Sequence, residues 1–193
     1  IRDVFDAQQQ AEMAKYEAMD AMQKNIQRSF WQYGAQHLLR EKWGYLTSAW
    51  MLEHSLQDNP SDIWRGNNSR IAYLVNHDSS YLSALDKKIK SSKNGKIDGD
   101  LEIEPFKTGD LYYSIHKSSI YVNGYKQKNG KWLVHAILTD TYDFTEIQSF
   151  MNDSNGWSTH AGIGTIANDA AVISQYLEAI NPYKVTVDFY TTR

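Results

Sequence analysis

The sequence of 193 residues contains no cysteine and only three prolines. Without cysteine, the chain can form no disulfide, thiolate zinc site, iron–sulfur cluster or cysteine nucleophile. Hydrophobic residues make up 41% and charged residues 22% of the chain, which is ordinary for a globular protein and disfavours disordered, collagen and coiled-coil classes. Any chemistry must therefore come from oxygen and imidazole groups.

A basic surplus and a long apolar run are also lacking. The formal net charge is -3 and the pI is about 6.1, whereas a nucleic-acid partner normally requires a basic surplus. The lysines of residues 87–96 are interleaved with serine, asparagine and glycine, which indicates a solvated helix end and linker. No apolar run approaches the roughly 20 residues that cross a bilayer. We therefore predict no nucleic-acid partner and no transmembrane segment.

The first half of the chain has a helical hydrophobic period. It predicts a long helix over residues 3 to about 40, a second helix over 43–52 that ends before Asp58-Asn59-Pro60, and a third from Ser69 to Leu85 or Ile89. In the long helix, apolar side chains recur at three-to-four spacing and are expected to form one core-facing stripe: Met13, Tyr16, Met19, Met22 and Ile26.

The period becomes strand-like after residue 97. Runs rich in Tyr, Ile, Val and Phe predict strands at 101–106, 111–116, 119–125, 132–138 and 184–190, and the Asn129-Gly130 pair predicts a β-hairpin. Helices are predicted after Asp143 and over 161–180. The sequence thus predicts an α+β fold in which a helical N-terminal lobe (1–90) packs on an antiparallel β-sheet lobe with additional helices (97–193), as one compact unit.

The densest polar cluster is Asp140-Thr141-Tyr142-Asp143, at the end of a predicted strand. Asp140 and Tyr142 would point to one side of that strand and Asp143 to the other, so a turn after Tyr142 would bring both carboxylates to one point. Paired carboxylates could hold Mg²⁺ or Ca²⁺, or could divide the roles of general acid and base. The alternative is that Asp143 is a helix N-cap, with Glu146 completing a capping box.

Two histidines are candidates for a catalytic imidazole. His54 lies in the last turn of a predicted helix beside Asp58, where it could be a general base oriented by that carboxylate. The alternative is that a histidine simply suits the negative end of the helix dipole. His160 lies in a predicted loop, where functional residues concentrate. His135 lies on a predicted strand among apolar neighbours and is interpreted as structural.

Residues 50–58, 109–116 and 140–146, together with Asn181-Pro182-Tyr183, resemble the C-terminal effector domains of secreted bacterial polymorphic toxins. Asp140, Tyr142 and Asp143 also resemble the first half of the Asp-x-Tyr-Asp…His-Arg motif of colicin M-like bacteriocins, which cleave a lipid-linked peptidoglycan precursor with Mg²⁺. The His-Arg half is missing, so His54 or His160 would have to supply the imidazole. The resemblance implies a secreted bacterial protein, a target at the cell envelope and a cognate immunity protein. The absence of cysteine, which is common in proteins exported by Gram-positive bacteria, favours a Gram-positive origin.

Two functions follow from these observations. The first is an antibacterial toxin acting as a hydrolase on a phosphate-containing envelope substrate. Asp140 and Asp143 would bind the metal or share the acid–base work, Tyr142 would complete their motif, and His54 or His160 would be the base. The second is a non-catalytic binding module, in which the aromatic-rich helical half is an interaction face and Asp143 only caps a helix. A nuclease is disfavoured by the net charge.

Overall fold

The structure is a computed structural model that describes residues 2–115, 117–143 and 178–193. Its helices are α1 (Arg2–Gly34), which continues into a π-helical segment π1 (Ala35–Lys42), then α2 (Leu46–Ser55), α3 (Arg70–His77), α4 (Ser79–Ser91) and α5 (Gly109–Tyr112). Its strands are β1 (Ile63–Arg65), β2 (Lys96–Leu101), β3 (Ser119–Lys126), β4 (Trp132–Tyr142) and β5 (Tyr183–Thr192). The predicted α+β fold is confirmed.

The strands form one five-stranded sheet in the order β1-β5-β4-β3-β2. Neighbouring strands are antiparallel except for β1, which runs parallel to β5. Strand β1 was not predicted, so the sheet is mixed, and the helical half of the chain contributes its edge. The predicted hairpin joins β3 to β4: Gly130 has φ +85°, and the Gln127 N–H donates to the Lys131 carbonyl at 2.7 Å. Glycine is suited to this left-handed turn position.

The core lies between the helices and one face of the sheet. On β4, Val134, Ala136 and Leu138 are fully buried, and they belong to the same hydrophobic cluster as Trp31 and Met51 of the helical half. Because side chains alternate along a strand, Asp140 and Tyr142 continue this core-facing row. The opposite face of the sheet carries partly or fully exposed polar and aromatic residues: Tyr121, Asn123, His135, Asp188 and Tyr190.

The single helix predicted from Ser69 is wrong, because it is broken at Asp78. This residue has an extended backbone (φ -78°, ψ 130°), and its Oδ1 accepts from the Ser80 N–H at 2.9 Å. Its Oδ2 accepts from the backbone N–H groups of Lys107 and Thr108, at 2.9 and 2.7 Å. One aspartate thus caps α4 and fixes the distant loop before α5. These contacts explain why α3 ends at this point, and they cannot be predicted from the hydrophobic period alone.

Two of the predicted strands are also wrong. The strand expected over 101–106 lies earlier, at Lys96–Leu101. The run expected over 111–116 begins with the short helix α5 instead. Leu111 and Ile115 are both fully buried, and a spacing of four residues places side chains on one face of a helical turn. The aromatic and β-branched residues of this run are a weak guide, because strand propensity mostly reflects tertiary packing.

The apolar stripe expected on α1 does not pack in the core. Met13, Tyr16, Met19, Met22 and Ile26 are all 53% exposed or more. Each step of three residues turns an α-helix by about 300°, so a succession of such steps winds around the helix and gives no continuous face. The helix contacts the core through its last turns, where Trp31 is only 1% exposed. No helix within the described ranges is long and apolar enough to cross a membrane.

Candidate active site

Asp140 lies within β4 rather than after it, because this strand continues four residues beyond its predicted end at Leu138. It pairs in register with Val185 of β5. Its neighbours along the core-facing row, Leu138 and Tyr142, are 0% and 3% exposed. The sheet alternation therefore places a carboxyl group in a row of otherwise apolar and aromatic side chains.

Few hydrogen bonds compensate the Asp140 carboxyl for its burial. Its Oδ2 is buried and has no hydrogen-bond partner within the described part of the chain. The pKa of Asp140 is raised to about 7, mainly by burial; hydrogen bonding from the Thr141 backbone opposes this shift, and the negative charge of Asp143 contributes to it. At neutral pH this carboxyl is therefore about half protonated, which suits a group that donates and accepts protons in a reaction.

Asp143 follows the last residue of β4, and it lines the same groove as Asp140. The groove has a volume of about 880 Å³ and lies at the end of the sheet where β2 and β4 finish and β3 and β5 begin. The two carboxylates thus meet at one groove, as the spacing around Tyr142 predicted. The negative charge of Asp143 disfavours ionisation of Asp140, because a nearby like charge opposes the charged form.

Further charged side chains line the groove. Asp100 and Glu102 add two carboxylates, while Lys117 and Lys184 supply two ammonium groups. Lys117 immediately precedes β3 and Lys184 lies on β5, so the two lysines flank the strand that carries Asp140. Hydroxyl groups line the same groove: Ser118, Ser119, Thr139, Thr141 and Thr186. Ammonium and hydroxyl groups can bind phosphate oxygens, but the surplus of carboxylates would require a cation or protons to balance an anionic substrate.

Tyr142 is buried and does not line the groove among the residues described. Its ring stacks on Tyr183, its partner in the β4–β5 register, with centroids 5.2 Å apart and planes at 25°. The Tyr183 hydroxyl donates to the Met51 carbonyl at 2.8 Å. The aromatic pair therefore anchors the end of β4 to α2 and helps position Asp140 and Asp143.

His54 is held by its neighbours on both sides. Its ring stacks on Trp50 with centroids 5.1 Å apart and meets the edge of Tyr183 at 4.6 Å. The Nε2 atom lies 2.8 Å from the Ser61 carbonyl, which can only accept, so this nitrogen carries the proton; Nδ1 accepts from the Gln57 amide at 3.0 Å. In this arrangement neither nitrogen is available as a base.

Asp58, which was expected to orient His54, binds other partners. It accepts from Lys24 at 2.8 Å and from Arg28 at 2.9 Å. The ion pairs hold the end of α2 against α1 and lower the pKa of Asp58, mainly through the hydrogen bond from Lys24. His54 and Asp58 therefore act in packing and helix docking in this structure, and the catalytic imidazole expected at His54 is not aimed at Asp140 or Asp143.

The other sequence-based candidates lie outside the described residues. These are His160, the possible capping residue Glu146 and most of the helix predicted over 161–180. The end of that predicted helix is within the description, and residues 178–180 form a turn, with Glu178 at φ 53°. The helix therefore does not extend to Ile180.

A metal ion would have few protein ligands here. Within the described ranges no group of three or more His, Asp or Glu side chains could hold a metal. Asp140 and Asp143 nevertheless fit Mg²⁺, which binds through one or two carboxylates and completes its shell with water or substrate phosphates. The unpaired Oδ2 of Asp140 is consistent with such a role. Ca²⁺, which takes six to eight oxygen ligands, is a poorer fit.

Sequence reasoning missed Lys117 and Lys184, because strand pairing alone brings them to the Asp140 groove. No protein-family model, curated protein or solved structure matches this chain. The fold and groove define an α+β protein with a carboxyl of raised pKa at one end of its sheet.

Proposed function

We propose that this chain is an antibacterial toxin effector domain that hydrolyses a phosphate-containing cell-envelope substrate, such as a lipid-linked peptidoglycan precursor. The observation that carries the hydrolase proposal is the buried Asp140 carboxyl, whose pKa is raised to about 7 beside Asp143. Lys117 and Lys184 on either side of β4 support a phosphate-containing substrate. The envelope target and the toxin context rest on the sequence resemblance, which also supports secretion and an immunity partner.

The proposed reaction uses the two carboxyls in different states. Asp143 accepts a proton from a water molecule, the water oxygen forms a bond to phosphorus, and the bond from phosphorus to the leaving oxygen breaks. Protonated Asp140 gives its proton to that leaving oxygen. Lys117 and Lys184 bind the phosphate oxygens as negative charge develops on them. The net change is the addition of one water molecule across the phosphoanhydride or phosphoester bond.

The metal-assisted form assigns Asp140 and Asp143 a second role as ligands. A Mg²⁺ ion held by the two carboxylates would neutralise charge on the phosphoryl group. Asp140 would then be ionised and could not be the proton donor. The two forms differ in their metal dependence, so a chelator distinguishes them: it abolishes cleavage in the metal-assisted form and leaves cleavage intact in the acid–base form.

The direct test incubates the full chain with a lipid-linked peptidoglycan precursor in detergent micelles and measures release of the phosphate-bearing head group. Asp140→Asn should lower the rate by roughly 10²- to 10⁴-fold, which is the usual contribution of a general acid or base. The matched control is Asp20→Asn, which makes the same chemical change at an exposed position on α1. Absence of cleavage by the unmodified chain with Mg²⁺, with Ca²⁺ and with chelator would overturn the proposal.

A test in cells addresses the target compartment. The chain is expressed in a bacterial host with and without an export signal, together with the Asp140→Asn and Asp20→Asn variants. Killing confined to the exported form, and lost in Asp140→Asn alone, is the expected result. Killing by the cytoplasmic form would contradict an envelope target, and killing by a folded Asp140→Asn variant would contradict the role of Asp140.

A non-catalytic binding module is the second candidate, and the arrangement of His54 favours it. Of the two histidines that could supply the imidazole of the toxin motif, His54 has both ring nitrogens occupied, by Ser61 and Gln57. This candidate predicts that neither Mg²⁺ nor Ca²⁺ changes the melting temperature, because a ligand that binds only the folded state must raise it. It also predicts that Asp140→Asn leaves the protein's biological effect unchanged.

A further inference from the structure

Two groups of lysines that are distant in sequence come together at the end of the sheet opposite the Asp140 groove. One group lies in the turn from α4 into β2, and the other lies in the hairpin that joins β3 to β4. The two turns are adjacent, because the Lys126 N–H donates to the Gly95 carbonyl at 2.8 Å and Lys96 pairs in register with Tyr125. The lysines are all exposed, and we call them the basic tip: Lys93, Lys96, Lys126, Lys128 and Lys131.

Both turns are fixed by their own side chains. The Ser92 hydroxyl donates to the Lys96 carbonyl at 2.7 Å and accepts from the Lys96 N–H at 3.1 Å. In the hairpin, Oδ1 of Asn129 accepts from the Lys131 N–H at 3.0 Å. The backbone that carries the lysines is therefore ordered before any partner binds, so binding has to order only the lysine side chains.

The positive charge of the basic tip is not balanced by neighbouring carboxylates. Residues 87–97 and 111–139 contain no Asp or Glu, and within the described ranges none of the five lysines forms an ion pair. Two carboxylates lie towards this end of the molecule and have other partners. Asp86 forms an ion pair with Arg193 at 2.6 Å, and Asp98 accepts from the Tyr121 hydroxyl. A chain with a net charge of -3 thus has one strongly positive end.

The composition of the basic tip fits an anionic lipid surface better than a nucleic acid. Its cations are all lysines, which attract anions as point charges, whereas recognition of nucleic-acid phosphates favours the planar fork of arginine. Clusters of about four to eight cations bind anionic lipid head groups. Tyr125 lies between Lys96 and Lys126 and is 50% exposed, and tyrosine is enriched where a membrane meets water. The charge and the aromatic ring therefore suit the same partner.

We propose that the basic tip docks this chain on an anionic membrane surface by attraction between its lysines and lipid phosphates. Strand β3 joins the tip to the groove over eight residues, which is about 24 Å at roughly 3.4 Å per residue, so the groove of a docked chain stays clear of the lipid. Such docking is reversible and concentrates the chain at the membrane, and a lipid-linked substrate would meet the groove of an undocked chain. Docking requires neither Asp140 nor a substrate, so each proposal can fail while the other stands.

The partner is tested by sedimenting the full chain with lipid vesicles. Vesicles that contain phosphatidylglycerol should bind the chain about 100-fold or more tightly than vesicles of phosphatidylcholine alone, because each lysine at the surface contributes about 5-fold. Raising the ionic strength should weaken this binding. Equal binding to both kinds of vesicle, or no binding to the anionic ones, would overturn the proposal. Displacement from the vesicles by a DNA duplex at the same phosphate concentration would also overturn it and would assign the tip to nucleic acid.

The surface is tested with two matched pairs of substitutions. Lys126→Gln combined with Lys128→Gln should weaken binding to the anionic vesicles by about 25-fold. Lys15→Gln combined with Lys42→Gln makes the same change in net charge at exposed positions of α1 and π1, and it should leave the affinity unchanged. An equal loss in both pairs would show attraction by net charge alone and would contradict the assignment to the tip. The Asp140→Asn variant should bind the vesicles normally.

The orientation of the docked chain is tested with a dye that reports a less polar environment. The chain contains no cysteine, so a single introduced cysteine can be labelled selectively. Thr192→Cys places the dye beside the tip, where Thr192 pairs with Leu133, and Ser61→Cys places it just before β1, at the end where β5 begins. On anionic vesicles the emission should shift to shorter wavelength for the dye at position 192 alone. A shift at position 61, or at neither position, would overturn the assignment.

Discussion

Asp110 and Asp140 are two carboxyls withdrawn from solvent, and the chain treats them in opposite ways. Asp110 is only 4% exposed, and its Oδ1 accepts from the Ser48 N–H at 2.8 Å and from the Ser48 hydroxyl at 2.9 Å. Its Oδ2 accepts from the Thr47 N–H at 3.1 Å and faces Arg70. Asp140 has an Oδ2 with no partner within the described ranges.

The contrast separates a carboxylate whose charge is balanced by hydrogen-bond donors from one whose charge is not. Asp110 satisfies the first turn of α2 from 62 residues away in sequence, so its charge is balanced by helix amides, which is the role of an N-cap. Asp140 has no comparable set of hydrogen-bond donors. The proton that it retains at neutral pH removes the negative charge that such donors would otherwise have to balance. An under-compensated carboxyl in a groove is a functional candidate because the fold gains nothing from its charge.

The largest expected effect on the free energy of unfolding is at Asp110. Asp110→Ala removes the acceptor of two buried backbone N–H groups and the partner of Arg70. Each stranded donor costs about 1–3 kcal/mol and the half-exposed ion pair adds up to about 1 kcal/mol, so we expect a loss of about 5 kcal/mol in the free energy of unfolding. Urea denaturation followed by circular dichroism measures it. Asp110→Asn keeps one acceptor oxygen and should lose clearly less. A loss below about 1 kcal/mol for Asp110→Ala would show that the cap contributes little.

The second prediction concerns Asp140, where removing the charge should stabilise the protein. The pKa of Asp140 is raised from 3.8 to about 7 in the folded state, so the folded chain binds more protons than the unfolded chain between these two values. The free energy of unfolding therefore falls as the pH rises from about 4 to 7 and levels off above that. At full strength this penalty is about 4 kcal/mol.

The measurement compares Asp140→Asn with the unmodified chain across this pH range. At pH 8 the variant should melt at the higher temperature, and at pH 4 the two should melt alike, because Asp140 is then protonated and resembles asparagine. Taking the difference between the two proteins cancels the titration of all other groups. The exposed Asp20→Asn variant should follow the unmodified chain at every pH. A pH-independent difference for Asp140→Asn would contradict the raised pKa.

The contrast between Asp110 and Asp140 also explains which features could be predicted from the sequence. Alternation along the strand, with a turn expected after Tyr142, predicted from local features alone that Asp140 and Asp143 would converge, and both residues line one groove. Local signals also predicted the hairpin at Asn129-Gly130. The role of Asp110 was missed, because its partners Thr47 and Ser48 are distant in sequence and no spacing rule connects them. Tertiary contacts of this kind also decide where α3 stops and why residues after Gly109 form a helical turn.

The expected pairing of His54 with Asp58 is wrong for a related reason. The spacing of four residues between His54 and Asp58 suggested a pair on one helix. Asp58 instead binds Lys24 and Arg28 of α1, and His54 contacts Ser61 and Gln57. A helix brings together residues three or four apart, but a loop or a second helix can supply a stronger partner. Lys117 and Lys184 reach the Asp140 groove only through the pairing of the strands beside β4, which the sequence does not specify.

A third prediction tests whether a second buried aspartate that accepts several hydrogen bonds also stabilises the fold. Asp78 is 1% exposed and accepts from the N–H groups of Ser80, Lys107 and Thr108. Asp78→Ala should cost about 3 kcal/mol, less than Asp110→Ala, because two of these contacts are only partly buried and water can replace the acceptor there. Asp78→Asn, which retains Oδ1, is the matched control. A larger loss at Asp78 than at Asp110 would reverse the expected order in chemical denaturation.

The smallest expected effect on the free energy of unfolding is at the neutral Tyr183 hydroxyl, which anchors the end of β4 to α2. The buried Tyr183 hydroxyl donates to the Met51 carbonyl at 2.8 Å, and burial raises its pKa far above the ordinary value, so it stays protonated at all working pH values. Tyr183→Phe should cost about 1 kcal/mol, the usual net worth of one neutral hydrogen bond, and because this hydroxyl stays neutral, its removal takes away no titrating group between pH 5 and 9. Tyr81→Phe is the matched control, since that hydroxyl pairs with Thr191 at 2.7 Å and lies away from the groove.

If Tyr183 positions the end of β4, Tyr183→Phe should also shift the pH midpoint of the Asp140 stability profile, whereas Tyr81→Phe should leave it unchanged. Identical profiles for the two variants would limit Tyr183 to packing.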